Sequence, residues 1–309
     1  MSRCPLWPAT APQVEAWRAN PSPSFSACSL AHVVPSSPLP ITFLSDFGRE
    51  DEFVGVVHGV IATLAPRCRV IDLNHRIPPG DIRAGALTLL RAIQYMPPGV
   101  VLAVVDPGVG SDRRALVLET GWGYLVGPDN GILSPAAAFL GGATDAYAIE
   151  NPDVMLPSRG RTFEGRDRFA PAAAVLAAGE ARPHEIGPQL DPQVLTPLLL
   201  PLSEVTDDGR VEGRAWWVDT YGNVQTNITP EDLEEAGIGP GARVVVRVGL
   251  MNYRVPWVGT FADVGEGRPL LHIDSAGLMA LAVRGGRADD HFTLAVDSSV
   301  VITTDPSRG

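Results

Sequence analysis

The sequence contains no lysine, because all 24 of its basic residues are arginine. This absence excludes chemistry that needs a lysine amine, including Schiff bases and the lysine of a phosphate-binding loop. Cysteine is scarce too: only Cys4, Cys28 and Cys68 occur, with no CxxC pair. So few cysteines argue against a disulfide framework or a zinc-thiolate site and are typical of a protein of the reducing cytoplasm.

Long apolar runs and clusters of positive charge are also missing. No run reaches the roughly 18 apolar residues that a membrane span needs, so we expect no membrane partner. The formal net charge is −11, and proteins that neutralise nucleic-acid phosphates usually carry a basic patch, so we expect no nucleic-acid partner. With 309 residues, 45% of them hydrophobic, the chain is long enough for two globular domains.

The chain divides into three regions of different pattern. Residues 1–39 are rich in proline and serine, which predicts a disordered or loosely docked extension. Residues 40–200 alternate short apolar runs with helical spacing, which predicts an α/β domain with a central, mostly parallel sheet. Residues 205–309 contain short β-prone runs between glycine and aspartate turns. They predict a smaller antiparallel β-barrel domain, in which residues 293–296 form one of the strands.

Several helices are expected in the α/β domain. Residues 53–64 have helical spacing, Asp81 can cap a helix that runs to about Tyr95, and residues 167–178 form an alanine-rich helical pattern. His58 and His75, with nearby acids, could bind a metal, and structural histidines are the alternative interpretation. Nothing approaches HExxH spacing, so no metal is predicted.

Two aspartates follow predicted strands of the α/β domain. Asp46 and Asp106 each begin a polar turn after an apolar run, and ligands of such sheets bind at the carboxyl ends of strands. Asp46, with Asp51 five residues on, can accept hydrogen bonds from a ribose diol, although a helix cap or Asx turn is the alternative. Asp106 and Arg113 can orient a water across the glycine turn, or form a surface salt bridge.

Two further constellations are polar turns. The sequence TFEGRD, residues 162–167, places three charged groups before a helix, where they could also serve only as a cap. Asp219, Tyr221 and Asn223 lie in a tight glycine turn that could clamp a purine and an ammonium group. A plain hairpin turn is the alternative interpretation of that turn.

Individually these motifs are weak, but their order is specific. The series SDFG, D-x-x-H-x-I, VDPGVG-x-x-RR, VGPDNG, TF-x-GRD, D-x-YGN-x-x-TN and I-D-S spans about residues 40–300. It resembles the S-adenosylmethionine hydrolases that form adenosine, also called hydroxide adenosyltransferases, which are relatives of the fluorinating and chlorinating halogenases. The resemblance implies an α/β domain followed by a β-barrel domain, and a homotrimer with active sites between subunits. S-adenosylmethionine would be the small-molecule substrate, and no cofactor is expected.

The resemblance also implies roles for individual residues. Asp46 would hold the ribose hydroxyls, while Asp219 and Ser275 would bind the methionine ammonium group. Tyr221 and Asn223 would contact the adenine. The complete set of predicted substrate-binding residues is Asp46, Asp51, Phe163, Asp219, Tyr221, Asn223 and Ser275.

The predicted catalytic residues are Asp106, Arg113 and Glu164. Asp106 and Arg113 match two members of the Asp–Arg–His set that activates water in the family, and Glu164 stands where the His belongs. A glutamate there could orient water; its charge opposes hydroxide formation, but it also attracts the sulfonium cation. Two alternatives follow: a halogenase-like enzyme, disfavoured because Val109 stands where halogenases have the halide-holding threonine, or a catalytically silent binder of S-adenosylmethionine.

Overall fold

The computed structural model describes residues 38–158 and 160–305. These residues form two compact units that divide between Leu199 and Leu200. The predicted N-terminal extension lies outside the described residues, except for Pro38 and Leu39. No helix in the described ranges is long and apolar enough to cross a membrane.

Seven strands form one mixed sheet in the first unit, in the order β2-β1-β3-β5-β4-β6-β7. β2, β1, β3 and β5 are mutually parallel, whereas β4, β6 and β7 add in antiparallel fashion. β1 and β3 are buried along their whole length, as expected for parallel strands covered on both faces. The strands are β1 (Ile41–Ser45), β2 (Val70–Asn74), β3 (Val100–Val104), β4 (Ala115–Glu119), β5 (Tyr124–Pro128), β6 (Asp145–Ala148) and β7 (Gln189–Leu190).

The helices of the first unit follow the predicted pattern with one exception. The helix expected over residues 53–64 is confirmed, and Asp81 caps the next helix by accepting a hydrogen bond from the Ala84 amide at 2.8 Å. The predicted helix over residues 167–178 is instead a π-helical turn, Gly165–Phe169, that continues into an α-helix. The α-helices are α1 (Phe53–Leu64), α2 (Ile82–Ile93), α3 (Ser134–Phe139), α4 (Ala170–Ala178) and α5 (Pro183–Ile186); Pro152–Val154 and Pro192–Val194 are 3₁₀ turns.

The second unit is an eight-stranded antiparallel sheet with the order β12-β11-β15-β9-β10-β14-β13, with β8 paired to β9. A bridge between Trp257 and Leu271 nearly closes the sheet into a barrel. The strands are β8 (Glu204–Val205), β9 (Val211–Val218), β10 (Val224–Thr226), β11 (Arg243–Val248), β12 (Met251–Pro256), β13 (Pro269–Ile273), β14 (Met279–Val283) and β15 (Ser299–Thr304). The helices are α6 (Pro230–Glu235) and α7 (Ala288–Phe292), with a 3₁₀ turn at Phe261–Asp263.

The fold class, an α/β unit followed by an antiparallel β-barrel-like unit, is confirmed. The strand predicted at residues 293–296 is wrong. Thr293 and Asp297 have positive φ angles of 54° and 70°, which turn the chain instead of extending it. The strand lies further on, at Ser299–Thr304, where β-branched residues favour extended backbone.

Candidate active site

Asp46 and Asp106 lie together because their strands are neighbours. β1 and β3 are paired in parallel, with Ser45 opposite Val104, so the aspartates leave the same edge of the sheet. The Asp46 carboxylate accepts a hydrogen bond from the Gly80 amide at 2.8 Å. One carboxylate oxygen is thus held by backbone, and the group is fixed at the strand ends, where ligands of parallel sheets bind.

Arg113 joins two of the predicted catalytic carboxylates. Its Nε donates to Asp106 Oδ1 at 2.8 Å, and its Nη2 donates to Asp106 Oδ2 and to Glu164 Oε2. The Arg113 side chain is only 10% exposed, that of Asp106 6% and that of Glu164 9%. The surface salt bridge considered from the sequence is therefore a nearly buried cluster, where charges interact more strongly than they do in water.

The electrostatics of this cluster are dominated by carboxylates. Burial disfavours the charge of Arg113, but the hydrogen bonds and charges of Asp106 and Glu164 outweigh it and hold the pKa of Arg113 above its usual value. Burial raises the pKa of Asp46, and the nearby charge of Asp106 adds to that rise against the hydrogen bond from Gly80. The cluster thus favours cations and resists further negative charge.

Glu164 is positioned by the π-helical turn that follows it. π-helical turns are rare and are frequent at functional sites. Gly165 begins the turn, and a Cβ there would lie 2.7 Å from the Phe47 ring, so the backbone needs glycine for this close approach. Phe169 at the end of the turn places its ring 5.2 Å from the Arg113 guanidinium.

Arg168 is a charged residue that the sequence analysis missed. Its Nη1 lies 3.7 Å from Glu164 Oε1, so Glu164 faces two arginines. The i,i+4 spacing of the two residues was the available signal. However, that spacing describes an α-helix, and here the chain forms a π-turn.

Phe163 belongs to an aromatic cluster at the same end of the sheet. Its ring centre lies 5.6 Å from that of Phe47 and 5.0 Å from that of Phe53, both edge-on. Phe53 is 38% exposed, so the cluster presents an apolar surface. Asp51, by contrast, is exposed and makes no ion pair or hydrogen bond to any residue that the structure describes.

In the second unit, the Asp219 turn is held by its own carboxylate. Asp219 Oδ1 accepts from the amides of Tyr221 and Asn223, and Oδ2 accepts from Asn223 Nδ2, each at 2.8 Å. Gly222 has a φ of +82°, which favours glycine. Tyr221 is 78% exposed, so its ring is available for stacking.

Ser275 does not lie beside the Asp219 turn. Val224 pairs with Leu281, and Ile273 pairs with Met279. This register puts the Asp219 turn at the C-terminal end of β14 and Ser275 at the N-terminal end. The structure brings Asp219, Tyr221 and Asn223 together, but it leaves Ser275 at the other end of the strand.

Arg287 was also missed by the sequence analysis. It donates from Nη1 to the Thr220 carbonyl oxygen at 3.0 Å and pairs with Asp289 at 2.7 Å. The contact forms because β14 brings the chain back past the Asp219 turn. Residues 220 and 287 are far apart in the sequence, so local spacing does not indicate that they meet.

The described residues thus combine an α/β unit that has buried charges at its strand ends with a barrel-like unit. Models of the S-adenosylmethionine hydroxide adenosyltransferase N-terminal and C-terminal domains match residues 41–187 and 213–301. The chain therefore belongs to the S-adenosylmethionine hydroxide adenosyltransferase family. The family indicated by the motifs is confirmed, and so is the prediction that the protein is an enzyme.

Relatives in two named groups are similar to the chain. A protein of Salinispora arenicola named (R)-S-adenosyl-L-methionine hydrolase is 44% identical over 85% of this chain and 97% of its own length. A protein of an Actinoplanes species named fluorinase is 28% identical over 85% of this chain and 97% of its own. The crystal structure of a conserved protein from Thermotoga maritima has a TM-score of 0.80 and 34% identity, covering 85% of this chain and 99% of that one.

Proposed function

We propose that the protein hydrolyses S-adenosylmethionine to adenosine and methionine through attack of water at the ribose C5′. The observation that carries the proposal is the nearly buried Asp106–Arg113–Glu164 cluster beside the Asp46 carboxylate. The name of the Salinispora relative, an S-adenosylmethionine hydrolase, supports the same substrate.

The substrate needs no further activation of its leaving group, because the sulfonium releases methionine as a neutral thioether. A water oxygen forms the new bond to C5′, the C5′–S bond breaks, and its electron pair goes to sulfur. The protein must hold this water in line with the breaking bond and take up its proton. Asp106 is the proposed proton acceptor, and Arg113 orients the water. The Asp46 carboxylate accepts hydrogen bonds from the ribose hydroxyls.

Glu164 sets a balance between substrate binding and nucleophile strength. Its carboxylate attracts the sulfonium cation, but it also disfavours the hydroxide form of a nearby water. Because Glu164 is held by Arg113 and lies 3.7 Å from Arg168, part of its charge is compensated. We therefore infer an active enzyme with a slower chemical step than a histidine at this position would give.

The residues of the second unit recognise the two ends of the substrate in this proposal. Tyr221 and Asn223 would hold the adenine. Ser275, at the other end of β14, would contact the methionine portion. Asp219 serves chiefly to shape the turn, because its carboxylate already accepts three hydrogen bonds. We further propose a homotrimer in which neighbouring subunits complete each site.

The test is a product assay with purified protein and S-adenosylmethionine in ¹⁸O-labelled water, with and without chloride or fluoride. We expect adenosine that carries one ¹⁸O, together with unlabelled methionine, at a rate independent of halide. S-Adenosylhomocysteine, which lacks the sulfonium charge, is the control substrate and should stay intact. A halogenated nucleoside would indicate the halogenase reaction instead. Saturable binding without turnover would contradict the proposal and identify a silent binder.

The role of Glu164 is tested with Glu164→His. We expect kcat to rise about tenfold if loss of the carboxylate lowers the pKa of the water by one unit, and KM to rise because a charge that attracts the sulfonium is gone. Steady-state kinetics measure both values, and Glu180→His, at an exposed position in the turn after α4, is the control. A fall in kcat would show that Glu164 itself is the working group.

A further inference from the structure

Helix α1 and the C-terminal end of strand β2 bring together two histidines and an aspartate that are not part of the proposed water-activating cluster. His58 Nε2 lies 2.8 Å from Asp72 Oδ1, and His75 Nε2 lies 3.1 Å from the same oxygen. One ligand atom from each of the three residues lies within 4.8 Å of the other two. His58 is 14 positions and His75 three positions from Asp72 along the chain, so no single local spacing motif contains all three residues.

His75 is the unusual member of this group. Its side chain is completely buried, yet its Nε2 forms no hydrogen bond with any residue in the described ranges. Although Asp72 is 3.1 Å away, the geometry is not that of a hydrogen bond. A buried polar atom without a partner costs free energy and needs an explanation, such as an ion.

The other ring nitrogen of His75 is already fixed. Its Nδ1 lies 2.8 Å from the Oγ of buried Ser45. Metal-binding histidines almost always have such a second contact, which orients the ring and selects the tautomer. When Nδ1 carries the proton and donates a hydrogen bond to Ser45 Oγ, Nε2 is an unprotonated acceptor that lies 3.1 Å from the Asp72 carboxylate. Two acceptors are then neighbours, and a cation bound by both would satisfy both.

We propose that His58, Asp72 and His75 form a binding site for one divalent transition-metal ion, best suited to Zn²⁺. Imidazole nitrogens and a carboxylate are ligands that Zn²⁺ accepts, with water completing a tetrahedral set. Bonds of about 2.1 Å in that geometry place ligand atoms about 3.4 Å apart, so the two separations from Asp72, 2.8 and 3.1 Å, require only a small outward movement. His58 and Asp72, at 37% and 34% exposure, leave an entry path from solvent.

The ion would stabilise the turn that carries Asp46 rather than react with substrate. Ser45 directly precedes Asp46, and the Gly48 amide donates to the His75 carbonyl oxygen at 2.8 Å. The site therefore contacts the SDFG turn at Ser45 and at Gly48. This inference is independent of the proposed hydrolysis, because metal binding can be measured without substrate.

The experiment is calorimetric titration of the metal-free protein with ZnCl₂, alongside the visible absorption of the Co²⁺ form, whose ligand-field bands report coordination number and nitrogen ligation. We expect one ion per chain, and thermal unfolding shifted upward by ZnCl₂ through mass action. His58→Ala should weaken Zn²⁺ binding by at least tenfold. His184→Ala, which removes an exposed histidine elsewhere in the α/β unit, should bind as the unaltered protein does.

Asp72→Asn provides a second variant, because it keeps the size of the side chain while weakening it as a ligand. It should also reduce affinity and change the Co²⁺ spectrum. Circular dichroism verifies that each variant is folded. Equal Zn²⁺ affinity in the unaltered protein and in His58→Ala would overturn the proposal, and so would the absence of stoichiometric binding to the unaltered protein.

Discussion

Arg113 shows how one side chain can organise a site in a chain that has no lysine. A guanidinium presents five donors in a rigid fork, and here that fork reaches Asp106 on one side and Glu164 on the other. Phe169 supports the guanidinium with its ring. An ammonium group could not satisfy both carboxylates in fixed directions. The arginine therefore fixes the orientation of Asp106, the group proposed to receive the proton of water.

Replacement of Asp106 tests its role as the proton acceptor. Asp106→Asn keeps the side-chain volume but removes the base, so we expect kcat to fall by about 10²–10⁴-fold, with KM changed little. Asp112→Asn is the matched control, because Asp112 lies in the same turn but is exposed. Steady-state kinetics on both variants measure the difference. Equal kcat values for the two would remove Asp106 from the chemical step.

Asp46 gives a prediction about pH. Burial and the charge of Asp106 raise its pKa, and the proposed ribose contact needs its ionised form. Substrate affinity should therefore weaken as pH falls, and it should begin to do so at a higher pH than an ordinary aspartate would allow. Direct binding measured across pH checks this. Asp46→Asn should bind weakly at every pH and lose the pH dependence.

The same shift has a consequence for stability. A carboxyl group whose pKa is raised by folding opposes the folded state at pH values where it is ionised, and this cost disappears as pH falls through its pKa. Asp46→Asn should therefore unfold at a higher temperature than the unaltered protein near neutral pH. The two proteins should converge in acid. A lower unfolding temperature for the variant at neutral pH would contradict this account.

At the scale of elements, the π-helical turn at Gly165–Phe169 is the part of the site that depends most on close packing. A Cβ on Gly165 would approach Phe47 Cζ to 2.7 Å and Phe163 Cε2 to 3.3 Å. Because Glu164 immediately precedes this glycine, any displacement of the turn also moves a carboxylate of the Arg113 cluster. The turn thus couples the aromatic cluster to the charged one.

Gly165→Ala should therefore reduce both stability and activity. We expect a loss of about 1–3 kcal/mol in the free energy of unfolding, the usual result of overpacking. Gly59→Ala is the control, since Gly59 lies within α1 with open space around it, and alanine there should stabilise the helix by about 0.5–1 kcal/mol. Chemical denaturation compares the two variants. Unchanged stability in Gly165→Ala would show that the aromatic rings move aside freely.

Sequence periodicity was sufficient to predict those elements that local sequence features specify. The amphipathic spacing over residues 53–64 and the Asp81 cap each indicate a helix within one short segment, and both were predicted correctly. The prediction of a strand at residues 293–296 was wrong because the backbone turns at Thr293 and Asp297 and is not extended there. Two non-glycine residues with positive φ leave no periodic signature.

The positions of site residues were predictable where the order of the strands alone determines which residues lie together. Asp46 and Asp106 follow adjacent parallel strands, so their proximity follows from the α/β pattern. Ser275 and Asp219 are different, because strand register decides their separation, and one-dimensional spacing does not contain that register. The grouping of His58 with Asp72 and His75 depends on how α1 lies against the end of β2, which one-dimensional spacing does not contain either.

At the scale of the whole molecule, charge and substrate are matched. The protein carries a formal net charge of −11, and the proposed substrate bears a sulfonium cation. A field of opposite sign raises the association rate of a charged ligand, an effect that salt screens. The negative net charge, which argues against a nucleic-acid partner, is thus consistent with a small cationic substrate.

The proposed homotrimer allows a complementation test of which chains build each site. Asp106→Asn disables the α/β contribution and Asn223→Ala the barrel contribution, so each variant alone should be nearly inactive. If neighbouring subunits share each site, subunits unfolded and reassembled as an equal mixture should recover about one quarter of the activity, because a head-to-tail ring pairs different chains at random. Sites built within single chains would recover none, since every chain would then carry one defect. Analytical ultracentrifugation verifies that the assemblies are trimeric, and a monomer would exclude the shared site outright.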